Sequence, residues 1–326
     1  MRLNLLALSL SGCVSMAVAA RSGRQERTFA LPAQASVEAA ALSRAGNLVA
    51  AICSDQVVRV WSTRSGELLR SLSESGQSPR AVEFSTDARL LAIAYQIVAY
   101  EKGAIRVFDV TSWKARYEFA APVSPFIGFA LAFSPDNRRL AFFDINDQIW
   151  ELGSGSLIDI SPPFGGSSSL SFSTDGRWIA SADGDAHVRV YDASTGTLQS
   201  TAQGFLLEPM AVAFAPDGKS LLAGGIDQTV SVIDRKTGKI LRTLPNQPGL
   251  ILSLDVSHNG RQVAVLYGSG EHFVDVDHLM LWDLDKGTIV ADFQKSGISI
   301  TGGAFVGDHY VVAAASRNEL TLWSLP

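Results

Sequence analysis

Along most of this chain, apolar and polar positions alternate over short runs, and turns rich in Asp, Asn, Ser, Pro and Gly separate the runs. The pattern is clearest from Pro209 to Leu244, PMAVAFAPDGKSLLAGGIDQTVSVIDRKTGKILRTL. Its alternation predicts strands over Met210–Phe214, Ser220–Gly224, Thr229–Ile233 and Ile240–Leu244. Pro216 presets φ for the first turn, and Gly218 and Gly238 supply positions able to take φ > 0. One four-stranded sheet leaves two edges open and two faces to cover, so the unit needs copies of itself alongside.

The copies are there. The apolar anchor of the first strand recurs at Leu42, Phe84, Phe133, Phe172, Phe214, Val256 and Phe305, about 39 to 49 residues apart, as propeller blades require. The seventh unit (Ala304-Phe305, Val311–Ala315, Leu320–Trp323) lacks a fourth strand, whereas Arg27–Leu31 alternates like a fourth strand with no first three before it. Pairing the two closes a ring and removes an exposed edge. The expectation is an all-β fold. Residues 27–326 form one seven-bladed β-propeller of four-stranded antiparallel blades, closed by the N-terminal strand on the last blade.

The units resemble the WD-repeat family over nearly the whole chain after the first residues. The likeness is carried by Phe133-Ser-Pro-Asp136, Val58-Arg-Val-Trp61, Leu279-Met-Leu-Trp-Asp283 and Val188-Arg-Val-Tyr-Asp192 followed by Ser-Thr-Gly. The family's Gly-His pair is missing throughout. Its turn aspartate, six residues before the aromatic, is matched by Asp55, Asp144, Asp185 and Asp227, while Lys102, Val276 and Arg317 stand there in other blades. The family's His–Asp–Ser/Thr–Trp tetrad is therefore incomplete, and blades without the aspartate are expected to rest on apolar packing. The resemblance implies a non-catalytic scaffold that binds a protein or peptide on the rim where second-to-third-strand turns and blade-to-blade connections meet.

Composition narrows the partners. Net charge is −5 and no Lys/Arg cluster stands out, which disfavours nucleic acid and anionic membranes; a monomer is expected. Residues 1–20 read as a leader: Arg2, apolar Leu3–Leu10, and Ala17-Val-Ala-Ala20 as a small-residue cleavage site, too short to span a membrane. Leu10-Ser11-Gly12-Cys13 also resembles a bacterial lipoprotein box with Cys13 as the lipidation site, and an uncleaved N-terminus is the third alternative. The first two send the protein to the periplasm or outside the cell; the third leaves it cytoplasmic. Cys53, alone in the body of the chain, reads as a buried thiol.

Two second-to-third-strand connections are lengthened, Tyr95–Gly103 and Tyr267–His278, and insertions on one rim often mark a binding face. Candidate contact residues are Tyr95, Tyr100, Phe126, Phe164, Phe205, His272 and Phe273, because large side chains on loops make good anchors. His272 and His278 invite a metal, but on a strand they would stand about 20 Å apart, so none is expected there. Glu83 and Asp255 precede the anchors of blades 2 and 6, on the innermost strands; they read as channel lining, too far apart around the ring to act together. No phosphate loop, nucleophile elbow or His-Glu-x-x-His motif occurs, and the five His recur at no common blade position. No cofactor is expected. A carbohydrate or small-ligand propeller is the alternative reading, and a metal-dependent hydrolase or lactonase-type propeller a further one.

Overall fold

The computed structural model describes residues 23–97, 102–122, 130–142, 147–160, 167–244, 247–268, 276–294, 299–307, 309–316 and 319–325. Seven four-stranded antiparallel sheets follow one another in chain order, each beginning at the innermost strand. Blade 5 shows the plan: Pro209–Phe214, Ser220–Gly225, Val230–Asp234 and Ile240–Leu244, with Leu221 opposite both Phe214 and Ile233. Blade 7 is completed as expected. Arg24–Ala30 pairs antiparallel with Glu319–Leu325, setting Phe29 opposite Leu320 and closing the ring with the two ends of the chain.

Local chemistry explains the recurring turns. In blades 2, 3 and 4 the hydroxyls of Ser85, Ser134 and Ser173 donate to Asp87, Asp136 and Asp175 two residues on, at 2.7, 2.6 and 2.6 Å. The same hydroxyls accept the amides of Leu90, Arg139 and Trp178, which begin the second strand or its approach. A Ser-x-Asp triplet thus satisfies its own turn and pins the hairpin register. Gly218 and Gly238 take φ of 62° and 68°, as those turns need.

The core lies between blades. Second strands such as Leu48–Cys53 are buried along their length, whereas the outer strand Leu68–Leu72 is exposed for four of its five residues. In blades 1, 2, 4, 5, 6 and 7 the register slips by one residue near the start of the innermost strand, as at Ser167/Ser169 and Pro209/Ala211. Such a bulge raises local twist and bends the strand where it borders the channel.

Candidate interaction rim and polar clusters

Blade-to-blade connections and second-to-third-strand turns do share a rim: the Leu206 amide, between blades 4 and 5, donates to Asp227 Oδ2 in the blade 5 turn at 3.4 Å. Two of the expected contact aromatics are not on it. Phe205 is buried with Ala202, Val212 and Phe214, tucked over the core between blades. Tyr95 is wholly buried among Val58, Phe84 and Phe108, with the Arg106 guanidinium 5.7 Å from its ring centre. Both rings gain more from the apolar interior than from water, so the contact role expected of them is corrected. Tyr100, Phe126, Phe164, His272 and Phe273 lie outside the described residues, as do Cys13 and Asp144. The first lengthened connection is largely extra ladder, since pairing continues out to Ile97 opposite Lys102.

What the rim does present is Leu206, 85% exposed, and Leu207, 50% exposed. Their loop is pinned. Besides the Leu206 amide, the Ile226 amide donates to the Glu208 carbonyl at 3.1 Å, and Ser168 Oγ donates to Glu208 Oε1 at 2.9 Å. Asp227 is itself oriented by the Thr229 amide and hydroxyl, at 3.1 and 2.8 Å. Two leucines are therefore held out to solvent between two carboxylates on a fixed backbone. The sequence signal was the apolar triplet Phe205-Leu-Leu207 in a connection where one apolar residue suffices to plug the core.

Asp55, Asp185 and Asp227 occupy the turns expected of them, but with different partners. Asp55 takes a bidentate pair from Arg59, at 2.9 and 2.6 Å, and Asp185 takes one from Arg189, at 2.9 and 2.6 Å. The pair holds each aspartate below its ordinary range, the hydrogen bonds from arginine being the main cause. Cys53 is buried behind Arg59, and burial pushes its thiol up. Blades 2 and 6 do not rest on apolar packing alone, which corrects that expectation. Arg106 pairs with Glu74 and Glu118 at 3.0 Å each, and Trp282 Nε1 donates to Tyr267 Oη at 3.1 Å, whose hydroxyl donates on to Gln247. His278 is engaged by Asp292 at 2.6 Å. The arginines stand two residues before the blade aromatic at 59, 106 and 189, a phased signal the turn-aspartate pattern had masked.

Glu83 and Asp255 are partly buried on innermost strands, and they are close enough for the Asp255 charge to bear on Glu83, contrary to the separation expected. Burial pushes the Glu83 carboxyl up to about 8; Asp255 adds to this and Arg44 opposes it. Asp255 is likewise raised by burial, moderated by the Phe305 amide, which donates to Oδ2 at 3.1 Å. Among the described residues no nucleophile is hydrogen-bonded to either, and no group of three or more His, Cys, Asp or Glu could hold a metal ion. No helix among them is long and apolar enough to cross a membrane.

A third polar cluster is buried at the junction of blades 3 and 4. Ser167 Oγ contacts both Asp147 Oδ2 and Asp183 Oδ1, the latter at 2.9 Å, and Arg189 Nη1 reaches Asp183 Oδ2 at 2.5 Å. All four side chains are nearly or wholly removed from solvent. Sequence reasoning missed this cluster because its members come from four strands or their approaches.

Comparison with known proteins agrees with this architecture. The family profile described as "WD domain, G-beta repeat" matches residues 164–192 and 201–234. The chain is 25% identical over 269 residues to Autophagy-related protein 16 of Arabidopsis thaliana, covering 81% of this chain and 50% of that protein. It is 27% identical over 203 residues to the WD repeat-containing protein sll1491 of Synechocystis sp., covering 56% of each. It is 35% identical over 165 residues to Nuclear distribution protein PAC1 of Coccidioides posadasii, covering 46% of this chain and 35% of that protein. The chain thus spans about half the length, or less, of these curated relatives.

Proposed function

Since the chain belongs to the WD40-repeat family of seven-bladed β-propellers, whose members are typically protein-interaction scaffolds, we propose that it is a non-catalytic scaffold that binds a protein partner through the rim bearing Leu206 and Leu207. The observation that carries the reading is the exposure of these two leucines on a loop tied down at Leu206, Glu208 and Asp227. A pre-ordered apolar projection loses little conformational entropy on binding and is the kind of group that dominates interface energetics. Glu208 and Asp227 flank it, so the complementary surface is an apolar pocket or segment bordered by Lys or Arg. The reading includes export, with residues 1–20 as leader and Cys13 as the lipidation alternative.

The experiment is co-purification of the tagged full chain from native extract, followed by binding of the isolated partner to wild type and to L206S/L207S. Both substitutions fall on exposed positions, so the fold should persist, as circular dichroism would show. Affinity should fall at least tenfold, and an unchanged Kd would remove the rim from the interface. Fractionation of cells expressing the chain and its C13A form tests the export and anchoring parts separately.

A further inference from the structure

Ser167 opens the innermost strand of blade 4, Ser167–Phe172, and stands between a carboxyl of its own blade and one of blade 3. Asp183 ends the second strand of blade 4, and Asp147 immediately precedes Gln148–Glu151 of blade 3. A hydroxyl has a single proton to donate. With both carboxyls ionised, one of the two contacts at Ser167 Oγ would bring lone pairs together between like charges in a site without solvent. Burial pushes the Asp183 carboxyl up, but Arg189 at 2.5 Å opposes that and makes Asp183 the better-stabilised anion of the two. Both contacts at Ser167 Oγ are satisfied when Asp147 carries the proton: its O–H donates to Ser167 Oγ, and the Ser167 O–H donates to Asp183.

We propose that Asp147 is a proton-held latch joining blade 3 to blade 4, closed while its carboxyl is protonated and released when that proton is lost. Burial pushes the Asp147 carboxyl up, to about 7, with the Asp183 charge adding to the shift and the Ser167 hydroxyl and amide opposing it. Among the described residues, the groups around it include Ser167 from the innermost strand of blade 4, Asp183 from the second, and Arg189 and Tyr191 from the third, with Asp185 and His187 beyond Arg189. On its own blade the Asp147 carbonyl accepts the Ile160 amide at 3.0 Å, which fixes the residue at the strand entrance. The neighbouring Ser168 holds Glu208, so the strand end closed by the latch also anchors the Leu206–Leu207 loop. That consequence rests on the docking role proposed above; the latch does not.

The sign is fixed by linkage. The folded protein holds this proton at pH values where the unfolded chain has already lost it, so stability falls as pH rises from about 4 to about 7 and is flat above. The test compares wild type with D147N in urea unfolding from pH 4.5 to 8.5. Glu83 and Asp255 titrate in both proteins and cancel in the difference. The amide introduced by D147N stays neutral, so the ratio of the two folding constants should change on the order of a hundred-fold across the range. In the wild-type-minus-D147N infrared difference, where the Glu83 and Asp255 carboxyls cancel, a protonated-carboxyl band should be present at pH 5.5 and gone by pH 8.5. In D183N, where the adjoining charge is gone, the band should disappear at lower pH. A pH-independent ratio overturns the proposal. So does an infrared band that neither D147N nor D183N alters; should D147N fail to fold, wild type and D183N still decide it. Neither measurement involves a partner, so failure of the docking role leaves this result standing.

Discussion

Replacing Phe29 by Ala tests whether the N-terminal strand is what holds the ring shut. Phe29 is 2% exposed on the strand Arg24–Ala30, opposite Leu320, and its ring lies 5.6 Å from that of Trp61 in blade 1. One side chain therefore fastens the closing strand to its own blade and to the next. Removing the ring loses about 1.5–3 kcal/mol of apolar transfer and about 0.5–1.5 kcal/mol of aromatic contact. The cavity among Val37, Val49, Trp61 and Leu320 brings the expected loss to about 3–5 kcal/mol. Against a typical total of about 5–15 kcal/mol that is a large fraction. Urea unfolding followed by tryptophan fluorescence reads the loss, and hydrogen exchange should show the amides of Glu319–Leu325 opening first. Leu68, 47% exposed on the outer strand of blade 1, is the control, and L68A should stay within about 0.5 kcal/mol. A loss below about 1 kcal/mol for F29A, or one matched by L68A, would show that closure does not depend on this contact.

Three other outcomes follow from the same structure. R189M should destabilise by about 3–5 kcal/mol at pH 8, because it leaves Asp183 buried without its cation. Part of that loss should return at pH 5 as the carboxyl takes up a proton, and an equal loss at both values in urea unfolding would assign it to packing. Glu83, whose folded value is raised to about 8, costs stability as pH climbs from about 4.5 to 8. E83Q should thus be the more stable protein at pH 9, by about 1–2 kcal/mol after allowing for water in the channel, and nearly neutral at pH 4; the same difference at both pH values would refute it. G302A should lower stability by about 2 kcal/mol or more, since a Cβ there would meet the Ala40 carbonyl oxygen at 2.0 Å. A Tm within a degree of wild type would mean that blades 7 and 1 can separate at little cost.

The arginines at 59, 106 and 189 and the leucines at 206 and 207 mark where reading the chain stopped short. Two residues before the aromatic, an arginine reads as the polar partner in an alternating strand, and only the fold reveals the carboxylate it meets. Leu206 and Phe205 are neighbours of similar character, yet one is exposed and the other buried. Alternation assigns faces within a strand, and a connection has no such rule.

The amino-acid sequence by itself determined the repeat, its seven copies, the Ser-x-Asp and Gly turns, and the closing strand. Those depend on interactions within a few residues, or on a period that repeats along the chain. Tertiary structure alone decided which aromatics are buried, that Glu83 feels the charge of Asp255, and that Asp147 and Asp183 meet across Ser167. Middle strands of a propeller are covered on both faces by neighbouring blades, so burial there follows from packing partners tens of residues away and not from local alternation.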